Sequence, residues 1–230
     1  MPLVFPNGKL EMNSFCIIGL GKFGQSLAEN LSADGKQVMI IDVDADRVNM
    51  LADTVTNAII GDPTNEAVMR AASIADYECA IITITQNIND NILLTLMCKE
   101  FGVKTVVSRA INEGHRKVLS KIGADYIVFP EKDMGERLAF TLGRDRVTDF
   151  MEFRGYQIVE ILTPKKWIGK TLLDLDIRKQ FGITVVAVTP PEGETEVSPS
   201  PTRVFTENDR IAVVGTSTGI DACIKKYNLT

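Results

Sequence analysis

Six short runs of branched apolar residues recur along the first 130 residues, each followed by a stretch with helical periodicity. The runs are SFCII at 14–18, VMIID at 38–42, AIIGD at 58–62, CAIITI at 79–84, TVVSR at 105–109 and YIVF at 126–129. Phe23, Leu27 and Leu31, four positions apart, illustrate the intervening amphipathic helices. Because the runs lack polar alternation, they are typical of parallel strands covered on both faces. The pattern predicts an α/β fold with a doubly wound parallel sheet of strand order 3-2-1-4-5-6.

The pattern changes after residue 142. The segment GRDRVTDFMEFRG at 143–155 interrupts the alternation and is predicted to be a connector. Beyond it, the predicted strands are YQIVEIL at 156–162, ITVVAV at 183–188 and RIAVVG at 210–215, and the predicted helices are LLDLDIRKQF at 172–181 and GIDACIKKYN at 219–228. We therefore expect an N-lobe at 13–142, a connector at 143–155 and a small α+β C-terminal lobe at 156–230.

Composition excludes several classes of protein. The net charge of -5 argues against a nucleic-acid surface. The four cysteines are far apart in apolar stretches, which predicts buried thiols in a reducing compartment. No apolar run approaches the roughly 18 residues of a membrane helix, and no signal peptide is recognisable. These features predict a cytoplasmic protein.

The sequence GLGKFG at 19–24 lies between the first predicted strand and the first predicted helix. In this context G-x-G-x-x-G indicates a Rossmann-like nucleotide cradle. Gly19 allows a tight turn, Gly21 lets a phosphate approach the backbone, and Gly24 lets the helix pack closely on the strand. Asp42 ends the second strand eighteen residues after Gly24, where an acid binds the ribose hydroxyls. A carboxylate there disfavours a 2′-phosphate, and hence NADP.

Three residues near this cradle each have two interpretations. Lys22 either neutralises a terminal phosphate or is an exposed lysine on a turn. Asp62 either reaches the adenosine half of a nucleotide or caps the following helix. The only histidine, His115, either contacts phosphate or lies on a helix surface. Because hydride transfer normally requires a positioned acid or base, the scarcity of such residues favours a nucleotide sensor over an NAD-dependent oxidoreductase.

Several longer segments resemble a known family. They are FCIIGLGKFGQSLAENL at 15–31, IIDVD at 40–44, IIGDPTNEAV at 59–68, VVSRAINEGHRKVLSKIGAD at 106–125, FPEKDMGERLA at 129–139, GKTLLDLDIRKQFGI at 169–183 and NDRIAVVG at 208–215. Together they resemble the RCK (KTN) domain proteins of the KtrA/TrkA family, with the single N-lobe and C-lobe of the KtrA-like type. The resemblance implies a regulatory subunit of a bacterial potassium uptake system. It implies ATP or ADP as ligand, with NAD(H) bound by TrkA-like members.

The resemblance also implies the residues of the site. The nucleotide-binding set is Gly19, Gly21, Lys22, Phe23 and Gly24 at the phosphates, Asp42, Val43 and Asp44 at the ribose, Asp62 and Pro63 at the adenine, Ile84, Thr85 and Gln86 beneath the nucleotide, and Arg109, Ala110, Ile111 and His115 on the phosphate side. Glu131 matches an acid that helps to bind a divalent cation, Mg²⁺ or Ca²⁺, near the phosphates. Its alternative is a first-turn acid favoured by the helix dipole.

The resemblance further implies partners and a second ligand. It implies homodimers assembled into an octameric ring, docked at the inner face of the membrane on a potassium-conducting subunit. In several relatives the C-lobe binds cyclic di-AMP, which would involve Leu172, Leu173, Arg178, Thr184 and Pro201. The alternative for these residues is core leucines with a surface arginine. A sensing subunit of another cation transporter stays open as a rival function, because the chain does not identify its partner.

Overall fold

The computed structural model describes residues 12–153 and 155–229. They divide into two compact units, with the boundary between Pro130 and Glu131. The N-lobe was predicted to extend to residue 142. By its contacts, however, the helix that ends at residue 142 belongs to the second unit. Within the described residues, no helix has the length and apolar character needed to cross a membrane.

The first unit is built on a six-stranded parallel sheet. Its strands are β1 (Ser14–Ile18), β2 (Gln37–Asp42), β3 (Asn57–Ile60), β4 (Cys79–Ile82), β5 (Thr105–Arg109) and β6 (Tyr126–Val128). Its helices are α1 (Lys22–Ala33), α2 (Ala45–Leu51), α3 (Glu66–Ala71), α4 (Ile88–Glu100) and α5 (Glu113–Lys121), with a 3₁₀ turn at Ile74–Asp76. The strand order is β3-β2-β1-β4-β5-β6. This confirms the predicted doubly wound sheet.

The central strands of this sheet are buried on both faces, whereas the edge strand β3 is largely exposed. On β1, Cys16 and Ile18 pack into the core on one face, whereas Phe15 and Ile17 pack into the core on the other. This explains why the strands lack polar alternation. The strand order reverses between β1 and β4, and open α/β sheets bind ligands at the carboxyl ends of the strands at such a point.

The four cysteines are buried and unbonded to one another. Burial raises the pKa of the Cys79 and Cys98 thiols to about 12. Because the thiolate is the reactive form, these side chains serve as small apolar core residues, as the sequence predicted.

The second unit is a small α+β lobe, as predicted. Its helices are α6 (Pro130–Leu142), α7 (Leu172–Leu175), α8 (Ile177–Phe181) and α9 (Ser217–Tyr227), with a 3₁₀ turn at Lys165–Trp167. Its strands are β7 (Val147–Phe153), β8 (Tyr156–Leu162), β9 (Thr184–Thr189), β10 (Glu196–Val197) and β11 (Arg210–Thr216). They form an antiparallel sheet of order β10-β9-β11-β8-β7.

The predicted connector at 143–155 contains strand β7, so it is not a simple linker. The register of β7 on β8 shifts between Val147 and Asp149, which breaks the alternation that would have identified a strand. Met151 and Phe153 are apolar yet exposed, which obscures the pattern further. The helix predicted at 172–181 is likewise two helices, because Asp176 adopts a left-handed φ of 41° between α7 and α8.

Candidate functional site

The glycine-rich turn joins β1 to α1. At two of its positions the surrounding atoms leave no room for a side chain. Gly19 has a φ of +96°, and a Cβ there would lie 2.7 Å from Cγ1 of Ile84. A Cβ on Gly24 would lie 2.1 Å from the Gly19 carbonyl oxygen, far inside contact distance. Gly21 faces open space, with no atom within 4 Å of a Cβ built there. Gly19 and Gly24 therefore close the turn, and Gly21 leaves room for a ligand beside the backbone.

The N-terminus of α1 differs from those of the four helices that follow it. Asp44, Asn65, Asn87 and Asn112 cap α2 to α5 with their side chains. At α1, Gly21 is the N-cap, and neither a side-chain cap nor a first-turn acid is found in the described part of the chain. The first backbone N–H groups of a helix bind anions readily when no side chain occupies them. The geometry suits a phosphate.

Asp42 anchors this turn from the end of β2. Its carboxylate is buried, with Oδ2 accepting the Leu20 N–H and Oδ1 accepting the Asp44 N–H at 2.9 Å. The same acid that the sequence assigned to the ribose thus holds the glycine turn. Each carboxylate oxygen has a further lone pair for a ribose hydroxyl.

Arg47 balances charge at this end of the pocket. Its Nε lies 3.1 Å from Asp44 Oδ2, and its Nη1 lies 4.0 Å from Asp42 Oδ2. Asp44 caps α2, so its side chain supports the helix and the arginine rather than lining the pocket. Sequence reasoning missed Arg47, because a single arginine in a polar helical turn carries no motif.

Thr83, also missed from the sequence, lies beneath the glycine turn. Its buried hydroxyl donates to the carbonyls of Gly19 at 2.6 Å and Ile18 at 3.2 Å. The side chain therefore ties the end of β4 to the turn after β1. It holds the turn in place at the point where the strand order reverses.

Arg109, at the end of β5, is held by an aromatic ring. Its guanidinium carbon lies 5.4 Å from the centre of the Phe23 ring, a cation–π contact. Phe23 is not among the residues that line the pocket. Its ring instead contacts Arg109, which does line the pocket.

Asp62 lines the pocket from the segment that follows β3. Its Oδ1 accepts hydrogen bonds from the Thr64 hydroxyl at 2.7 Å and the Thr64 N–H at 2.9 Å, which lower the pKa of the carboxyl. Asn65, and not Asp62, caps α3. The cap alternative for Asp62 is therefore wrong, and its carboxylate lies exposed at the pocket.

These elements enclose a cavity of about 260 Å³. The predicted residues that line it are Gly19, Gly21, Asp42, Val43, Asp62, Pro63, Ile84, Thr85, Gln86 and Arg109. The lining residues that were not predicted are Leu20, Arg47, Thr64, Thr83, Asn87 and Asp90. The predicted residues of this unit outside the lining are Lys22, Phe23, Gly24, Asp44, Ala110, Ile111 and His115. Lys22, the first residue of α1, is exposed.

His115 is buried in the first turn of α5 instead of on the helix surface. It is 4% exposed, and its two ring nitrogens have no hydrogen-bond partner among the described residues. Burial lowers the pKa of the imidazole. The surface alternative for His115 is wrong.

Glu131 lies in the second compact unit, exposed in the first turn of α6. Across residues 12–153 and 155–229, no group of three His, Cys, Asp or Glu side chains is arranged to hold a metal ion.

In the second unit, the predicted second-messenger residues lie near a turn. The Leu173 N–H donates to the Pro201 carbonyl at 3.2 Å. Leu173, Arg178, Thr184 and Pro201 are exposed and Leu172 is partly buried, so Leu173 is not the core leucine of the alternative interpretation.

A buried acid secures this turn. Asp209 accepts hydrogen bonds from Arg203 Nη1 at 2.9 Å and from the Thr206 hydroxyl at 2.6 Å. Burial alone would raise the pKa of Asp209, but these hydrogen bonds lower it below its ordinary value.

Fold and site together define a class: a doubly wound nucleotide-binding domain followed by a small antiparallel lobe. Comparison with known families gives the same division. Residues 15–130 match the TrkA-N domain and residues 156–227 match the TrkA-C domain. The chain therefore belongs to the RCK family.

Two relatives from Bacillus subtilis (strain 168) match this chain over nearly its whole length. It is 42% identical to Ktr system potassium uptake protein C over 92% of this chain and 96% of the relative. It is 35% identical to Ktr system potassium uptake protein A over 90% of this chain and 94% of the relative. Among solved structures, the GsuK channel bound to NAD shares the fold with a TM-score of 0.64 and 20% identity, covering 95% of this chain and 40% of the channel.

Proposed function

We propose that this protein is the cytoplasmic regulatory subunit of a potassium uptake system, peripheral on the membrane through its partner. The observation that carries the proposal is the match of both domains, over 92% and 90% of the chain, to two potassium uptake proteins of the Ktr system. The nucleotide state of the N-lobe biases the conformation of a membrane subunit. A ligand shifts such an equilibrium only by its differential affinity for the two states.

The ligand that we propose is ATP or ADP, with NAD(H) as the second candidate. The uncapped N-terminus of α1 receives phosphate, and Asp42 receives the ribose. The pocket lining contributes three aspartates, Asp42, Asp62 and Asp90, and two arginines, Arg47 and Arg109. Because this lining carries a net negative formal charge, a divalent cation near the phosphates would assist binding. From the family resemblance we propose Glu131 as an acid that helps to bind a divalent cation.

Assembly into homodimers, and then an octameric ring, would cover an apolar stripe on α6. Met134, Leu138 and Leu142 are four positions apart and are 58%, 54% and 76% exposed. Residues at this spacing share one helix face. Leu138→Glu is expected to shift the sedimentation coefficient toward monomer, whereas Met50→Glu, on the exposed face of α2, is expected to leave it unchanged. An unchanged assembly in Leu138→Glu would remove α6 from the interface.

For the C-lobe we propose cyclic di-AMP, at the surface of Leu172, Leu173, Arg178, Thr184 and Pro201. Arg178 supplies a cation for phosphate, and the exposed Leu173 beside the Pro201 turn supplies apolar contact for a base. Arg178→Ala is expected to abolish thermal stabilisation by cyclic di-AMP while leaving that by ADP intact.

A thermal-shift panel tests the proposal directly, since stabilisation follows ligand affinity. The panel contains ATP, ADP, NAD, NADH and cyclic di-AMP, each with and without Mg²⁺ or Ca²⁺. ATP and ADP are expected to raise the Tm of the wild type and not of Asp42→Ala. Co-expression with a Ktr membrane subunit in a cell lacking potassium uptake is expected to restore growth at low potassium. If neither the thermal shift nor the restored growth is observed, and the protein oxidises NADH with one of a panel of keto acids, the NAD-dependent oxidoreductase would be favoured instead.

A further inference from the structure

Helix α4 carries a small polar cluster in the interior of the first unit. Asn91 and Thr95 on α4 and Ser108 on β5 are each 0% exposed. They lie among apolar neighbours such as Leu94 and Val106. A buried polar group without a hydrogen-bond partner costs about 1–3 kcal/mol of stability. The partners of these three side chains therefore indicate what the cluster does.

The hydrogen bonds of the cluster converge on Asn91. The Thr95 hydroxyl donates to the Asn91 backbone carbonyl at 2.8 Å and also lies 3.1 Å from Ser108 Oγ, and the Ser108 hydroxyl donates to Asn91 Oδ1 at 2.8 Å. This leaves the Asn91 amide nitrogen pointing away from Ser108. It donates to the carbonyl of Ile84 at 2.8 Å and to that of Arg109 at 3.3 Å.

The two carbonyls belong to neighbouring strands at the point where their pairing ends. The last paired residues of β4 and β5 are Ile82 and Ser108. Ile84 and Arg109 lie beyond that pair, and the Asn91 amide bridges their carbonyls where no backbone ladder does. One side chain therefore sets the distance between two strand ends.

Both strand ends line the nucleotide pocket, whereas Asn91 does not. We propose that Asn91 is a positioning residue: its buried amide holds the end of β4 and the backbone of Arg109 in the arrangement that receives the nucleotide. The inference rests on the proposed nucleotide site. Asn91 acts through the two carbonyls and touches no ligand.

Thr95 provides the matched control. It belongs to the same cluster at the same depth, and its hydroxyl contacts Asn91 O and Ser108 Oγ but no residue of the pocket lining. Thr95→Val thus removes buried hydrogen bonds without releasing the strand ends. Asn91→Leu removes the amide while keeping a side chain of similar size.

Hydrogen–deuterium exchange on the ligand-free protein tests positioning without assuming any ligand. In Asn91→Leu, exchange at 84–86 and 109–111 is expected to rise about tenfold, whereas in Thr95→Val these segments are expected to stay within about twofold of wild type. Equal exchange in the two variants would overturn the inference. If Asn91→Leu does not fold, Ser108→Ala, which removes the donor to Asn91 Oδ1, is expected to raise exchange at the same segments by a smaller factor, and unchanged exchange there would also overturn it.

Calorimetry with ADP then separates this inference from the proposed function. Asn91→Leu is expected to weaken ADP binding about tenfold or more, and Thr95→Val by less than about twofold. Wild-type protein that binds no adenine nucleotide, with exchange changed as expected, would refute the nucleotide ligand and leave the positioning role standing. Wild-type affinity in Asn91→Leu would refute the positioning role alone.

Discussion

Replacing Thr83 by valine removes one hydroxyl from beneath the nucleotide pocket while preserving the shape of the side chain. The hydroxyl donates to the carbonyls of Gly19 and Ile18. The Ile18 carbonyl keeps the Thr83 N–H as a donor at 2.9 Å. The loss of a hydrogen-bond donor therefore falls on the carbonyl of Gly19, in the turn that we propose receives phosphate.

The size of the effect follows from the burial of that carbonyl. Depriving a buried acceptor of its donor costs about 1–3 kcal/mol. The turn can relieve part of this cost by moving, but a displaced turn fits a nucleotide less well. If the whole cost appeared in binding, the Kd for ADP would rise about 5- to 150-fold. If it all appeared in folding, the free energy of unfolding would fall by about 1–3 kcal/mol.

Thr83→Ser is the matched control, because it keeps the hydroxyl and loses a methyl group worth about 1 kcal/mol of burial. Urea unfolding and calorimetry with ADP are measured on both variants. We expect Thr83→Val to weaken ADP binding by about fivefold or more and Thr83→Ser by less than about twofold. Wild-type affinity in Thr83→Val, or an equal loss in the two variants, would refute the role of the hydroxyl.

Three further outcomes are expected. Gly24→Ala places a Cβ 2.1 Å from the Gly19 carbonyl oxygen, so it should lower the Tm and abolish the shift produced by ADP; Gly35→Ala, where the Cβ meets open space but φ is +73°, should also lower the Tm and yet keep that shift. Lys22→Ala should narrow the ATP/ADP affinity ratio while ADP binding stays nearly intact, and equal losses for both in calorimetry would count against it. Asp209 has a lowered pKa, so its stabilisation is present above the unfolded pKa of about 3.9 and lost as pH falls. Asp209→Asn should therefore lower the Tm at pH 7 and reduce the acid-induced fall between about pH 5 and 3; an unchanged Tm at pH 7 would contradict this.

The sheet of the first unit could be predicted because its strands are uniformly apolar and its helices have a clear period. Asp42 could be predicted because its distance from Gly24 follows from the length of one β-α-β unit. Thr83 could not, because its partner Gly19 is 64 residues away and the run CAIITI looks like any buried strand. The role of Asn91 could not be predicted either, because its partner Arg109 is 18 residues away and the surrounding sequence is typical of any helix.

The second unit was harder to predict because its sheet is antiparallel and partly exposed. The register of β7 on β8 shifts between Val147 and Asp149, and Met151 and Phe153 of β7 are exposed to solvent. Periodicity identifies a strand only when one face is consistently buried. The segment therefore resembled a connector, although it pairs along the length of β8.

Charge places a limit on where nucleotide discrimination can arise. On the proposed function, the adenosine half lies beside Asp42 and Asp62, with Arg47 as the neighbouring cation, and these groups would meet the part that ATP and ADP have in common. The turn after β1 offers backbone N–H groups, which bind a phosphate whatever is attached to it. A preference between two adenine nucleotides must then come from groups that meet only the additional phosphate. Arg109 is a cation of the lining whose guanidinium contacts the Phe23 ring and whose backbone carbonyl accepts from the Asn91 amide. On the proposed function, Lys22 and Arg109 are therefore the candidates for that contact, and Phe23 and Asn91 would influence it only through Arg109.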